Sequence, residues 1–240
     1  MTARDLNEEL KGWTPPPRPD WMEETGRYVR LERLDPSRHA ADLFVANRAR
    51  DSIWDYLPYG PFAEEAAYRD WVAEMAAKDD PRFYALIDLE TGRAGGVASY
   101  LRIDPAAGSI EVGHINLAPV LQQTRAATEA MFLMMAWAFR AGYRRYEWKC
   151  NALNGGSRRA AERLGLSYEG IFRQATVVKG RNRDTAWFAA IDREWPLIEA
   201  AFQHWLDPAN FDGDGRQQVS LAGLTRPVLV STDPMRRPDH

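Results

Sequence analysis

The sequence has very little cysteine and no long apolar segment. A single cysteine, Cys150, excludes a disulfide within the chain and any metal site built from cysteines. No apolar run approaches the roughly 18 residues that a membrane-spanning helix needs. The first residues are polar and rich in proline, unlike a secretory signal. We therefore expect a protein of the reducing cytoplasm, with no metal and no membrane partner.

A basic excess is also lacking. The chain carries 31 basic and 34 acidic residues, for a net charge of −3 and a pI near 5.9, which argues against a nucleic-acid partner. Hydrophobic residues make up 45% of the chain and include nine Trp and nine Phe, ample for a packed core. A length of 240 residues suits one domain with extensions, as a monomer or homodimer.

Proline and glycine mark the two ends of this domain. Residues 1–24 contain a proline cluster with Trp13 and Trp21, which predicts an extended arm whose tryptophans dock on the body. Residues 25–206 form the predicted domain. Residues 207–240 are rich in glycine, proline and charge, and we expect an extension that is partly disordered.

Hydrophobic periodicity predicts a mixed central sheet covered by helices. One helix, residues 126–141, is apolar on almost every side, which favours burial against a sheet. Strands are predicted at residues 27–34, 83–89, 94–103, 109–117, 145–150, 168–179 and 185–191. Helices are predicted at residues 36–50, 63–78, 126–141, 157–164 and 194–205.

The turn that leads into the apolar helix, residues 122–127, predicts an anion site. A helix start leaves several backbone N–H groups unpaired, with the positive end of the helix dipole behind them. Small side chains at Ala126 and Ala127 let a bulky anion approach the backbone. A pyrophosphate is a suitable ligand for such a turn.

Four stretches together resemble the GNAT acetyltransferase superfamily, in particular its ribosomal-protein-alanine (RimJ/RimL-like) branch. They are EVGHINL at 111–117, QQTRAATEA at 122–130, NGGS through LGLSYEG at 154–170, and GRNRDTAWF at 180–188. The resemblance covers roughly residues 27–205. It implies an α/β (α+β) GNAT fold, with a mixed, mostly antiparallel central sheet splayed at the fourth strand and flanked by helices.

The resemblance also implies an activity and a set of binding residues. The activity is transfer of an acetyl group from acetyl-CoA to a primary amine, by direct attack in a ternary complex. Backbone groups at 116–118 are expected to pair with the pantetheine arm like an added strand. The residues expected to bind acetyl-CoA are Asn116, Leu117, Ala118, Gln122, Gln123, Thr124, Arg125, Ala126, Ala127, Asn154 and Ser157.

The sequence departs from the superfamily pattern at two positions. Arg125 stands where the first loop glycine is expected, and its side chain could bind the phosphates or partly block them. Ala161 stands where many members place a tyrosine that protonates the departing thiolate. Ser157 is then the candidate for that task, and the alternative interpretation is a helix N-cap.

Two residues of the 109–117 strand are candidates for moving the amine proton. Glu111 resembles the strand glutamate that acts as a base, directly or through water, and the alternative is a surface carboxylate. His114 could relay a proton or could be a satisfied core histidine. Their odd spacing predicts opposite faces of the strand. Cys150 is expected to be a small buried core residue and not a nucleophile.

The acceptor stays open at this stage. It could be a protein N-terminal amine, as the branch implies, or a small amine such as an amino acid, a polyamine or an antibiotic. The aromatic residues Trp13, Trp21, Trp54 and Tyr56 could build an apolar pocket or a peptide groove. The basic turn at 179–183 is interpreted as a solvated hairpin tip, or as a guide for an acidic acceptor or the cofactor phosphates. A non-catalytic acyl-CoA-binding module is the alternative from another class.

Overall fold

The computed structural model describes residues 9–20 and 23–235, so Trp21 lies outside the described residues. Its strands are β1 Glu24–Thr25, β2 Val29–Arg33, β3 Arg82–Asp88, β4 Ala94–Asp104, β5 Ser109–Leu117, β6 Arg145–Asn151, β7 Ser167–Val178 and β8 Arg181–Ile191. Its helices are α1 Pro36–Asn47, α2 Glu65–Ala76, α3 Arg125–Arg140, α4 Gly155–Arg163, α5 Trp195–Leu206 and α6 Leu221–Thr225. Short 3-10 helices cover Asp51–Trp54, Pro208–Asn210 and Arg226–Val228. No helix within the described ranges is both long and apolar enough to cross a membrane.

The eight strands form one sheet in the order β1-β2-β3-β4-β5-β6-β8-β7. Among the described strands β5 and β6 are the parallel pair, and the other neighbours are antiparallel. The β5–β6 pairing covers only Ser109 to Val112, after which β5 leaves its neighbour. The two-residue β1 makes β5 the fifth strand, and it is the one predicted to splay. The predicted fold class is confirmed.

Helices cover the sheet on two faces, and each face has its own core. We call the side that carries Ile110 and Val112 the α3 face, because both residues pack in one cluster with the apolar side chains of α3 and α5. We call the side that carries Phe83 and Val97 the α1 face, because both pack with α1 and α2. The burial of α3 that its apolar sequence predicts is confirmed.

A β-bulge interrupts β5 at His114. Val97 pairs with Asn116 and Ser99 pairs with Gly113, so β5 has one residue more than β4 over this interval. His114 occupies the left-handed region with φ 50°, which is uncommon for a residue other than glycine. One extra residue reverses the alternation of side chains beyond it.

The bulge places Glu111 and His114 on the same face, so the prediction of opposite faces is wrong. Phe83 pairs with Ser99 on β4, and Glu111 pairs with Leu101 two residues along the same strand. Glu111 therefore projects from the α1 face, as Phe83 does. The ring of His114 lies 5.3 Å from the ring of Phe83, on that same face.

The segment after α5 packs against α4 and β7 as far as it is described. Leu221 is fully buried in the core on the α3 face. Asp233 is buried, accepts hydrogen bonds from the guanidinium of the buried Arg158, and so fixes the segment to α4. The amide of Val230 donates to the hydroxyl of Ser167 at 3.0 Å. The division into arm, domain and extension stays a prediction.

Candidate active site

The turn before α3 has the features of an anion site. Thr124 is the N-cap of α3, and its Oγ1 accepts a hydrogen bond from the amide of Ala127 at 3.1 Å. The amides of Arg125 and Ala126 have no acceptor within the described part of the chain. They point out of the helix start, where the helix dipole favours negative charge. The geometry suits a pyrophosphate.

Two glutamines shape this turn. The side-chain amide of Gln122 donates to the carbonyl of Leu117 at 2.9 Å, so it ties the turn to the end of β5. Its side-chain oxygen accepts from Arg50 at 3.4 Å. Gln123 adopts the left-handed region with φ 62°, which turns the chain sharply into the helix start. Gln122 thus stabilises the turn through its hydrogen bonds to Leu117 and Arg50, although we expected it to bind the cofactor.

A cavity of about 1020 Å³ opens in front of this turn, beside the splay of β5. Of the residues predicted to bind acetyl-CoA, its lining includes Leu117, Gln123, Thr124, Arg125, Ala126 and Ala127. The lining does not include Asn116, Ala118, Gln122, Asn154 or Ser157, although Gly156 of α4 belongs to it. The structure therefore brings the α3 turn and the start of α4 to one cavity.

The cavity has an excess of positive charge. Its charged lining consists of Arg27, Arg125, Arg159, Arg163, Asp88 and Glu90. Four cations against two anions suit a ligand with several phosphates. Sequence reasoning found only Arg125 among the four. The signal for two others was available, because Arg159 and Arg163 are four residues apart and so share one face of α4.

The side chain of Arg125 lies between two aromatic rings. Its guanidinium carbon is 4.9 Å from the centre of the Tyr28 ring and 4.6 Å from that of Phe211. Both rings belong to the lining of the cavity, as Arg125 does. The side chain that replaces the loop glycine is thus turned off the helix start and held at the cavity wall by cation–π contacts.

We expect Arg125→Ala to weaken acetyl-CoA binding about tenfold, because it removes a pre-positioned cation from the cavity wall. Phe211→Leu should have a smaller effect, since it loosens the guanidinium without removing its charge. Calorimetric titration with acetyl-CoA measures both. Unchanged affinity in Arg125→Ala would mean that the guanidinium only packs between the rings.

The end of β5 offers fewer free backbone groups than predicted. The amide of Ala118 donates to the carbonyl of Gly95 at 2.9 Å, so it is not available to a pantetheine arm. Asn116 and Leu117 pair with β4, so only the edge of β5 that faces β6 remains free for a pantetheine arm. The side chain of Asn116 is buried, and neither of its polar atoms has a hydrogen-bond partner among the described residues.

Glu111 is buried in a network of charges on the α1 face, so it is not a surface carboxylate. It is 3% exposed, and both of its carboxylate oxygens accept from Nη1 of Arg102, at 2.8 and 2.7 Å. Nζ of Lys149 lies 2.8 Å from Oε2 of Glu111 and 2.6 Å from Glu147. Burial raises the pKa of Glu111, although Lys149 and Arg102 oppose it. A raised carboxylate pKa suits a general base.

His114 has the contacts of a satisfied, neutral histidine. Its Nδ1 is 3.1 Å from the hydroxyl of Tyr59, and the two rings stack with centres 5.7 Å apart. Burial lowers the pKa of His114 to about 4, and the nearby cations Arg102 and Arg183 lower it further. The imidazole is therefore uncharged at pH 7 and a weak base, which favours the core interpretation over a proton relay.

The N-cap of α4 is Asn154 and not Ser157. The side-chain oxygen of Asn154 accepts a hydrogen bond from the amide of Ser157 at 3.0 Å. The hydroxyl of Ser157 accepts one from Nε1 of Trp148 at 3.0 Å, so its own proton can be donated elsewhere. Cys150 is 5% exposed, and burial raises the pKa of its thiol, so it is a core residue as predicted.

This geometry separates catalysis from capping. We expect Ser157→Ala to lower turnover about ten- to a hundredfold, since it removes the hydroxyl that could assist the thiolate. It should also lower stability, because Nε1 of Trp148 loses its acceptor. Asn154→Ala removes the cap and should lower the free energy of unfolding by about 1 kcal/mol. Thermal melting and initial rates of both variants test this. Full turnover in Ser157→Ala would contradict the role of Ser157, and unchanged melting in Asn154→Ala would contradict the cap.

The three described aromatic residues proposed for the acceptor wall, Trp13, Trp54 and Tyr56, do not come together in one wall. Trp54 is 3% exposed and packs in the core of the α1 face. Trp13 packs instead against Arg144, whose guanidinium lies 5.8 Å from its ring centre. The hydroxyl of Tyr56 donates to the carbonyl of Leu153 at 3.2 Å, which joins the α1–α2 connection to the start of α4.

A second cavity, of about 860 Å³, lies on the α1 face beside the Glu111 network. Arg102, Lys149 and Trp187 belong to its lining, together with Pro15 and Arg18 of the N-terminal arm. The β7–β8 hairpin closes over this side, because Nζ of Lys179 donates to the carbonyl of Trp54 at 2.9 Å. Arg102 and Lys149, the two cations that bind Glu111, thus connect its carboxylate to this cavity.

Comparison with known proteins agrees with this geometry. Residues 29–167, more than half of the chain, match the family described as "Acetyltransferase (GNAT) domain". A curated relative, "Putative ribosomal N-acetyltransferase YdaF" of Bacillus subtilis, is 25% identical over 181 residues. The match covers 72% of this chain and 96% of the relative.

Solved structures show the same relationship. A GCN5-related N-acetyltransferase from Brucella melitensis is 47% identical and superposes with a TM-score of 0.88, over 90% of this chain and all of that one. RimL, a ribosomal L7/L12 alpha-N-protein acetyltransferase, shares the fold at 23% identity, with a TM-score of 0.59 over 73% of this chain and 98% of that one. The chain belongs to the GNAT family of N-acetyltransferases.

Proposed function

We propose that this protein transfers the acetyl group of acetyl-CoA directly to a primary amine in a ternary complex. The observation that supports this best is the cavity that joins the unpaired amides of Arg125 and Ala126 to the splay between β5 and β6. The helix start would bind the pyrophosphate. The free edge of β5 would hold the pantetheine arm and direct the thioester toward Glu111.

The proposed mechanism assigns a residue to each of its two proton transfers. The amine nitrogen attacks the thioester carbon from the α1 face, the C–S bond breaks, and CoA leaves as a thiolate. Glu111 accepts the proton that the amine loses, directly or through a water. Ser157 donates a hydrogen bond or its proton to the departing sulfur. No acetylated enzyme is needed, because the thiol of Cys150 is buried with a raised pKa.

The acceptor that we favour is a protein N-terminal amine. The relative YdaF is described as a "Putative ribosomal N-acetyltransferase", and RimL as a ribosomal L7/L12 alpha-N-protein acetyltransferase. One observation favours a small amine instead. The hydrogen bonds from Lys179 and Tyr56 join the α1–α2 connection to the hairpin and to the start of α4. They would therefore narrow the entrance for an acceptor on the α1 face. A fold relative, the MccE acetyltransferase, is described in complex with acetyl-CoA and AMP.

A screen of acceptors tests the proposal. Purified full-length protein is mixed with acetyl-CoA and peptides with free N-termini, their N-terminally blocked copies, amino acids or polyamines. Thiol release is followed, and mass spectrometry locates the acetyl group. We expect release only with free amines. Acetyl-CoA binding without amine-dependent release would favour a non-catalytic binding module.

A further inference from the structure

One half-buried arginine near the Glu111 network has no counter-ion. The side chain of Arg183, on β8, makes no hydrogen bond and no ion pair with any described residue, and its Nε is buried without an acceptor. A guanidinium is always charged in proteins, so its burial without a partner is costly. A ligand that brings an anion would remove this cost.

Arg183 projects from the α1 face, the face from which we expect the amine to attack. Residues two apart on a strand share a face, so Arg183 and Trp187 project from the same side of β8. The ring of Trp187 lies 3.8 Å from Nζ of Lys149, which binds Glu111 on the α1 face. The pairing of β6 with β8 ends at Asn151 and Thr185, so Arg183 lies just past the end of β6. β5 has already left β6 at this level.

The charges of the Glu111 network are paired with one another. Glu111 binds Arg102 and Lys149, and Glu147 binds Lys149 and Arg145. Arg145 also binds the carboxylate of Glu169 at 2.5 Å. Three carboxylates thus face three cations, and Arg183 is an additional cation. Every cation of this network thus has a carboxylate partner, and Arg183 has none among the described residues.

A second unpartnered polar group lies on the same face. Asn116 pairs with Val97, whose side chain packs in the α1-face core, so Asn116 projects from that face. Both polar atoms of its carboxamide are buried without a partner among the described residues. Asn116 and Arg183 thus lie on strands at either side of the β6 end. One has a free donor and acceptor, and the other has free donors only.

We propose that Arg183 is a specificity-determining residue that binds a carboxylate on the acceptor amine. The inference rests on the proposed function, since it names the class of its acceptor. The cavity in front of the α3 turn already has four arginines for the phosphates of acetyl-CoA, so the phosphates do not require Arg183. Arg183 also lies outside residues 29–167, the stretch that matches the family. The acceptor class is an amine with a nearby carboxylate, such as an amino acid or an acidic N-terminal peptide.

The test compares acids with their neutral amides. Glycine, β-alanine and alanyl-aspartate amide are titrated into CoA-loaded full-length protein, each against glycinamide, β-alaninamide or alanyl-asparagine amide. For at least one pair we expect the acid to bind about tenfold or more tightly, because a charge-assisted bond discriminates strongly. Arg183→Gln should reduce that preference to about threefold or less, and Arg183→Lys should retain part of it. Arg181→Gln, an exposed arginine of the same strand, should retain all of it.

Two binding results would overturn the assignment: no acid preference in the wild type, or equal behaviour of Arg183→Gln and Arg181→Gln. Turnover of the same amines is measured separately. Equal loss of rate for acids and amides in Arg183→Gln, with binding preference unchanged, would assign Arg183 to the transition state and contradict the proposal. Acid-selective binding without any acetyl transfer would leave Arg183 as assigned and contradict the proposed function.

Discussion

Glu111→Gln should lower kcat by about two to four orders of magnitude and leave acetyl-CoA affinity near normal. Glutamine keeps the shape of the side chain but cannot take the amine proton. The reaction needs the ionised carboxylate, and burial raises the pKa of Glu111. The rate of the wild type should therefore fall as pH falls through that raised pKa. A pH–rate profile and calorimetry with acetyl-CoA measure both effects.

Loss of folding is separable from loss of chemistry in this variant. A raised pKa means that folding disfavours the charged carboxylate relative to the unfolded chain, so at neutral pH the charge of Glu111 does not stabilise the fold. Lys149 keeps Glu147 as a partner in the variant. Glu147→Gln is the matched control, and we expect its kcat to stay within about tenfold of the wild type. A full rate in Glu111→Gln would reject Glu111 as the base.

Glu129→Gln should give the largest loss of stability, about 3 kcal/mol of unfolding free energy. Glu129 is 5% exposed within the apolar α3, and its carboxylate accepts hydrogen bonds from three backbone amides. These are the amides of Arg27, Tyr28 and Val29, at 2.8, 2.6 and 3.0 Å. Glutamine presents a donor to these donors, so buried N–H groups are left unpaired. Chemical denaturation measures the change.

The same variant should weaken acetyl-CoA binding, because Arg27 and Tyr28 form part of the cavity wall. Gly26 allows this contact, since a Cβ there would lie 2.4 Å from the carboxyl carbon of Glu129. Glu74→Gln is a control on an exposed helix pair with Lys78, and its loss should stay below about 0.5 kcal/mol. Equal losses in both variants would contradict the structural role of Glu129.

Much of the fold follows from local pattern. The alternation in residues 109–117 predicts β5 with its observed bounds, and the apolar sequence after residue 125 predicts α3 to within one residue at each end. These elements are predictable because the hydrophobic residues of β5 alternate with a period of 2 and those of α3 occur on every side of the helix. The unpaired amides at the start of α3 follow as well, since they depend only on where the helix begins.

What depends on single inserted residues or distant partners is not predictable in this way. The bulge at His114 leaves no compositional mark, yet it reverses the face on which that side chain lies. The partners of Glu129 are about a hundred residues away, so its carboxylate has no signal in the α3 sequence. The segment from 154 to 157 holds two residues that can cap a helix, and only the backbone conformation selects Asn154 over Ser157.

The binding of the pyrophosphate at the start of α3 is the central claim, and a paired calorimetric titration tests it most directly. Acetyl-CoA and S-acetylpantetheine share the thioester and the pantetheine arm, but only acetyl-CoA has the phosphates. The account predicts that acetyl-CoA binds and that S-acetylpantetheine binds at least about a hundredfold more weakly. S-acetylpantetheine has no phosphates to contact the helix start or the arginines of the cavity. Equal affinities, or no heat with millimolar acetyl-CoA, would contradict it.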